Sequence, residues 1–253
     1  KHFCIGISTP VYNNAISLAT KICDYFENAV LIAGGNHVTD FPNEEKTKMA
    51  FDHIIVGDGE DALLEIVKGN PVDQIVYSQP IKDLDCLPLP DYEGVNMKKY
   101  GLQIDGLPGA IVITSRNCKF NCVMCGSASS LNKSKMKLYR ERSPASVIAE
   151  IKLLYENYGK RGFYFADDIF SANKERTLVL CKLLEGFKGI SWRATTRADL
   201  LDEKLIIAMK SAGCNIISIG IESGNKEVLK SLGKGMTPIQ NKKIVELCHK
   251  HNI

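Results

Sequence analysis

The sequence predicts an α/β protein in two successive parts, a partial doubly wound parallel sheet followed by a partial barrel of βα units. Three observations carry this. Short β-rich runs alternate with helical apolar stripes over residues 1–79, a proline-rich stretch with neither period follows, and a second βα series begins near Ala110.

In the first part, residues 3–8 predict a strand and residues 15–27 a helix, because Ile16, Ala19, Ile22, Cys23 and Phe26 share one face. Residues 29–33 predict a buried strand that Gly34-Gly35 breaks. A helix over residues 43–50, a strand over 53–56 and a helix over 61–68 complete the rhythm. Pro80, Pro88, Pro90 and Pro108 then stand among Asp, Gly and Lys without a sustained period. That places a linker over residues 80–109, between a first domain of residues 1–79 and a second of residues 110–253.

The second series opens with a strand predicted over residues 110–115, which runs straight into a cluster of cysteines. Ser143-Pro144 caps a helix whose stripe is Val147, Ile148, Ile151, Leu154, Tyr155 and Tyr158, closed by Gly159. Strands follow over 163–165, 190–196 and 215–219, with helices over 173–185 and from Asp202 to Gly213, and two more helices at the end. Four βα units in series predict a barrel-like domain, in which chemistry gathers where the strands end at their carboxyl edge. The polar candidates fall there: Cys118 to Cys125 after the first strand, Asp167-Asp168 after the second, Arg197 after the third, and Gly220 with Glu222 after the fourth.

Composition narrows the class of protein. With 45% hydrophobic and 24% charged residues the 253-residue chain is neither disordered nor fibrous, and a formal charge of +3 marks no nucleic-acid partner. No aromatic or basic cluster outlines a nucleic-acid groove. Six of the nine cysteines (Cys4, Cys23, Cys86, Cys181, Cys214 and Cys248) are scattered singly, and an odd total argues against a disulfide framework. No apolar run approaches the roughly 18 residues of a membrane span, and the first residues lack a signal peptide's apolar region. A soluble, cytoplasmic protein in a reducing compartment is the expectation.

The remaining cysteines, Cys118, Cys122 and Cys125 in Arg116-Asn-Cys-Lys-Phe-Asn-Cys-Val-Met-Cys-Gly126, carry the most chemistry. Cys-x3-Cys-x2-Cys supplies three ligands to a four-iron cluster and leaves one iron open to a small molecule. Zinc would need a fourth ligand at a spacing that the sequence does not offer. An open iron points to catalysis.

This spacing, the strand before it and the polar residues after later strands resemble the radical S-adenosylmethionine (SAM) superfamily over residues 110–253. The resemblance implies a TIM-like (β/α)6 barrel of which this chain holds the amino-terminal part. It implies a 4Fe-4S cluster on Cys118, Cys122 and Cys125, with SAM on its open iron. One electron then splits SAM into methionine and a 5'-deoxyadenosyl radical, which abstracts substrate hydrogen. By the same resemblance, Arg197 holds the cofactor carboxylate, with Arg193 as a stand-in. Glu222 contacts its amino or ribose groups, Gly220 permits close approach, and the pair Asp167 and Asp168 meets its ammonium or caps the next helix. Met124, whose thioether can pack on the purine face, and Gly126 are further SAM contacts. Asn117 stands where relatives carry Gly, and Met124 where an aromatic precedes the last cysteine.

The amino-terminal part resembles cobalamin-binding domains fused to radical SAM enzymes, through Gly34-Gly-Asn-His37, Val56-Gly-Asp-Gly-Glu60 and the linker Leu84-Asp-Cys-Leu-Pro-Leu-Pro-Asp91. That implies cobalamin against Thr9, Pro10, Val11, Gly34, Gly35, Asn36, His37, Gly57, Gly59 and Glu60, at the carboxyl ends of the sheet. Without Asp-x-His-x-x-Gly, His37 reads as a hydrogen-bonding loop residue and not as a cobalt ligand. Both resemblances imply further βα units before Phe3 and after Ile253.

The expected activity is that of a cobalamin-dependent radical SAM methyltransferase acting on a small-molecule or peptide substrate, with a reducing donor such as flavodoxin or ferredoxin. Ring formation, rearrangement or a methylthiotransferase-like reaction is the alternative. A non-catalytic iron-sulfur or zinc redox protein and a cobalamin sensor are the further alternatives.

Overall fold

A computed structural model describes residues 1–97, 99–126 and 138–253. They fall into two compact units, Lys1–Lys82 with the described residues of Cys125–Leu138, and Asp83–Met124 with Tyr139–Ile253.

In the first unit, strands β1 (His2–Gly6), β2 (Val30–Gly34), β3 (His53–Val56) and β4 (Ile75–Tyr77) lie side by side in that order, all parallel. Alternation decides which residue meets which helix. Leu31, Ala33 and Ile54 pack with Ala15 and Ala19 of α1 (Tyr12–Tyr25), whereas Ile32 and Ile55 pack with Ala62 and Ile66 of α4 (Glu60–Val67). A sheet covered on both faces needs apolar residues at successive positions, which is why β2 reads as an unbroken Val-Leu-Ile-Ala run. Two short helices, α2 (Asn36–Asp40) and α3 (Glu45–Ala50), link β2 to β3. The sequence pattern missed α2 and β4, each too short to show a period.

The second unit is built on a curled sheet of order β11-β10-β9-β6-β5. Strands β6 (Leu107–Val112), β9 (Gly162–Phe165), β10 (Ser191–Thr196) and β11 (Cys214–Ile219) are parallel, so their carboxyl ends share one edge. Edge strand β5 (Gln103–Ile104) pairs antiparallel with β6. Helices α5 (Pro144–Asn157), α6 (Lys174–Leu184), α7 (Glu203–Ser211), α8 (Lys226–Ser231) and α9 (Pro238–Lys250) complete the unit. One face of the sheet buries Ala110, Val112, Phe163, Phe165, Trp192 and Ala194 against Val147, Ile151, Leu180 and Leu205 of the helices.

Residues 103–104 and 107–109, read from the sequence as linker, are strands. Asp105 and Gly106 between them have φ of 52° and 75°, the paired left-handed geometry of a two-residue hairpin turn. The strand predicted over residues 110–115 starts at Leu107 and leaves the sheet after Val112. Thr114 and Ser115 are drawn off by hydrogen bonds to Asp167. Among the described residues, no helix is long and apolar enough to cross a membrane.

Candidate functional site

The carboxyl edge of the second sheet holds most of the polar residues singled out by sequence. After β6 the chain forms β7 (Ser115–Arg116), which pairs with β8 (Arg140–Glu141) and so joins the two arms of the cysteine segment. Asp167, buried just beyond β9, braces this junction. Its Oδ1 accepts from the amides of Thr114 and Ser115 and from Ser115 Oγ, and its Oδ2 accepts from Thr114 Oγ1 at 2.8 Å. Burial pushes this carboxyl upward, and the four donors oppose that shift. Both oxygens of Asp167 thus serve the loop. Asp168 is exposed, and neither aspartate caps the following helix: Asn173 does, its Oδ1 accepting from Arg176 N at 3.2 Å.

The cysteine segment is held at several points. Asn117 has φ of 67°, a left-handed turn that asparagine tolerates. Lys119 donates to the Ala172 carbonyl, and Val123 N donates to Leu232 O at 3.2 Å. The Arg197 guanidinium lies 3.9 Å from the centre of the Phe120 ring and donates from Nη1 to Cys122 Sγ at 3.4 Å. Cys118, Cys122 and Cys125 are each half-buried, and Met124 is exposed. Cys125 and Gly126 group with the first unit.

Arg197 itself is 5% exposed and makes a bidentate pair with Asp199, both contacts at 2.9 Å, while Nη2 also donates to Lys234 O at 2.5 Å. Four of its five N–H donors are therefore engaged by Asp199, Lys234 and Cys122. Burial works against its charge, but the Asp199 hydrogen bond and carboxylate, followed by Cys122, outweigh it and raise the pKa.

Glu222, past the end of β11, has φ of 61° and sits at the centre of a three-residue turn closed by Ser223 N donating to Ile221 O at 2.8 Å. Helix α8 is capped by Asn225, so Glu222 is not spent on a helix start. Its Oε1 accepts from Lys234 Nζ at 2.7 Å, and the same ammonium donates to Gly220 O at 2.7 Å. A Cβ at Gly220 would stand 2.7 Å from Lys234 Nζ and 2.8 Å from Glu222 Oε1, so a side chain here would push the ion pair aside. Lys234 was not foreseen from the sequence. Its signal was local: Gly233 and Gly235 flank it with φ of 67° and 68°, and the lysine between them is buried.

In the first unit, a cavity of about 350 Å3 opens at the carboxyl ends of the strands, lined in part by Gly34, Gly35, Gly57, Gly59 and Glu60. Gly6, which the sequence reading passed over, joins them. At Gly6, Gly34 and Gly59 an added Cβ would meet nothing within 4 Å, so it would stand in open space. Gly35, with φ of 101°, has Ile7 backbone atoms 2.8 and 2.9 Å from where a Cβ would be. Thr9, Pro10 and Val11 form a single 3-10 turn outside the cavity lining, and Asn36 starts α2.

His37 is buried in α2 and not in a loop. Nδ1 is 3.1 Å from Thr9 Oγ1 and Nε2 is 3.1 Å from Glu44 Oε2, with the Tyr12 ring 4.2 Å away. Both imidazole nitrogens are occupied, so the side chain braces the Thr9 turn. Hydrogen bonds from Tyr12 and then His37 hold the Glu44 carboxyl below its ordinary range, against the effect of burial.

Residues 112–253 match the Radical SAM superfamily. The chain belongs to that superfamily. An uncharacterized methyltransferase of Pyrococcus horikoshii is 32% identical over 98% of this chain and 57% of its own length. The anaerobic magnesium-protoporphyrin IX monomethyl ester cyclase of Rubrivivax gelatinosus is 27% identical over 99% of this chain and 48% of its own length. The chain thus spans about half the length of these curated relatives. Two solved structures of the radical SAM methyltransferase TsrM from Kitasatospora setae superpose with TM-scores of 0.78 and 0.76. They are 15% and 16% identical and cover the whole of this chain and 55% and 56% of theirs. One holds tryptophan and a SAM analogue, the other cobalamin and a [4Fe-4S] cluster.

Radical SAM enzymes use a 4Fe-4S cluster and SAM, and the donor set fits the cluster. Three half-buried thiols stand on one loop, and the buried Arg197 guanidinium donates to the sulfur of Cys122. Among the described residues, no three His, Cys, Asp or Glu side chains converge on a single metal ion.

Proposed function

We propose that the protein is a cobalamin-dependent radical SAM enzyme and that its reaction is methyl transfer. The observation that carries the cobalamin assignment is the cavity at the strand ends of the first unit, where Gly6, Gly34 and Gly59 leave open space that side chains would fill. A doubly wound sheet offers its ligand that edge, and a broad planar ring system needs a wall without side chains. The methyltransferase names among the relatives support the reaction, and the cyclase of Rubrivivax gelatinosus supports ring formation as the second reading.

When bound, the reduced cluster and methylcobalamin would supply the electron that cleaves SAM and the methyl group that is transferred. The chain's own residues hold and shield these groups. Cys118, Cys122 and Cys125 provide the thiolates, and Arg197 offsets charge at Cys122 while fixing Phe120 beneath it. Asp167 fixes the point where the loop leaves β6. Lys234 aims the Glu222 carboxylate and limits its reach, leaving Glu222 Oε2 as the acceptor for the ammonium or ribose of SAM. A low-potential donor such as flavodoxin or ferredoxin, a reducing cytoplasm and a small-molecule or peptide substrate complete the reading.

Anaerobic reconstitution tests it. The chain should gain the broad visible absorption of an iron-sulfur cluster and release 5'-deoxyadenosine on reduction, and Cys118→Ala should lose both. Corrin should be retained on gel filtration and released by Gly34→Leu, which fills the cavity. Absence of cluster absorption would overturn the radical reading, and corrin retention unchanged by Gly34→Leu would overturn the cavity assignment.

A further inference from the structure

The face of the second sheet away from the helices carries a charge that the cluster and cofactor contacts leave unused. Ile111 pairs with Tyr164, Tyr164 with Arg193, and Arg193 with Ile216, so the four form one row across β6, β9, β10 and β11. Their strand neighbours Val112, Phe165, Trp192 and Ala194 are buried under the helices, which puts the row on the opposite, inner face. Below it the sheet is closed. Ile104 sits against Gly109 and Gly162, where a Cβ at Gly162 would stand 2.8 Å from Ile104 Cβ, and Ser191 is bonded to Asp105 and Asn215. Within this chain Ile111 and Ile216 are 53% and 41% exposed.

Arg193 is the one charged residue within the five strands of this sheet, and cations near it are already paired. Arg197 is paired with Asp199, Lys234 with Glu222, and Arg142 with Glu150. The Arg193 guanidinium lies over the Tyr164 ring, 4.9 Å from its centre, and its buried Nε has no acceptor. Among the described residues it has no carboxylate partner, and the twelve residues outside that set include no Asp or Glu. A fork of planar donors held by an aromatic ring and bordered by apolar side chains is complementary to a carboxylate on an apolar body.

We propose that Arg193 is a substrate-recognition residue whose guanidinium binds the carboxylate of an acid with an apolar body lying along Ile111, Tyr164 and Ile216. Its assignment to substrate rests on the radical SAM reading, because the inner face is where a radical made at the strand ends would find its target. The carboxylate preference itself rests on the geometry alone.

The test titrates 3-phenylpropionate and its neutral amide, 3-phenylpropanamide, into the reconstituted full chain by calorimetry. The acid should bind about tenfold more tightly than the amide, the margin of one charge-assisted contact. Arg193→Gln should abolish the preference and Arg193→Lys should keep part of it. Should Arg193→Gln misfold, Ile216→Glu places an internal carboxylate beside Arg193 and should remove acid binding. Equal binding of acid and amide, or a preference that survives both Arg193→Gln and Ile216→Glu, overturns the proposal. So does complete displacement of the acid by saturating SAM, which would give the arginine to the cofactor. Failure to load a cluster with the acid preference intact would instead overturn the radical reading and leave the anion site standing.

Discussion

Lys234 joins the neighbouring Gly220 and Glu222 to Arg197, and its contribution can be separated from theirs. Its ammonium ties Glu222 to the Gly220 carbonyl, and its own carbonyl takes a donor from Arg197. Glu222 is about a third exposed, so the ion pair is partly screened and the loss on Lys234→Met should be about 1–3 kcal/mol. Gly220→Ala should also destabilise, because the new methyl group would press on Nζ. In the Lys234→Met background that clash is relieved. Urea unfolding of the double-mutant cycle should therefore show Gly220→Ala costing clearly less once Lys234 is gone, and full additivity would mean that the glycine is needed for another reason. Arg197 and Glu222 were legible in the sequence because each follows a strand of a βα series. Lys234 was not, because it reaches the same place from a turn between α8 and α9, and only Gly233 and Gly235 marked it.

At the level of elements, Asp167 couples the end of β9 to the departure of the cysteine segment from β6. Replacing it by Ala would leave the Thr114 and Ser115 amides buried without acceptors, whereas Asn, with its carbonyl oxygen in the place of Oδ1, would keep both and change only the contact with Thr114 Oγ1. Asp167→Ala should destabilise the second unit by on the order of 3 kcal/mol, read from the denaturant midpoint, and should lower the yield of reconstituted cluster, while Asp167→Asn should cost clearly less. Ser115→Ala removes one of the four donors and should cost much less. A midpoint unchanged in Asp167→Ala would show that the brace carries no energy. The parallel strands themselves were legible, since β3 matches its predicted residues and β9, β10 and β11 differ from theirs by a residue at the start. The β5–β6 hairpin was not. Its Asp105-Gly106 turn is a strong local signal, but β5 is two residues long and Pro108 lies inside β6, so periodicity gave no support.

Across the whole molecule the nine cysteines separate into three classes, and this gives a test independent of turnover. Cys181, Cys214 and Cys248 are buried in the second unit, Cys4, Cys23 and Cys86 are exposed, and the three of the loop lie between. Burial pushes the Cys181 thiol up to about 12 and also raises those of Cys214 and Cys248. Only the thiolate reacts with an alkylating reagent, so these three should stay unlabelled at neutral pH in the native chain. A folded-state pKa above the unfolded value means that their contribution to stability is complete below the ordinary thiol range near 9.0 and fades as pH rises toward about 12. Alkaline unfolding in that window should expose all three together. Mass spectrometry of the chain without iron should find Cys4, Cys23, Cys86, Cys118, Cys122 and Cys125 alkylated. After anaerobic reconstitution Cys118, Cys122 and Cys125 should become protected while Cys4, Cys23 and Cys86 still react. Labelling of the loop cysteines at the same rate with and without iron would remove them as cluster ligands, whatever the absorption of the sample.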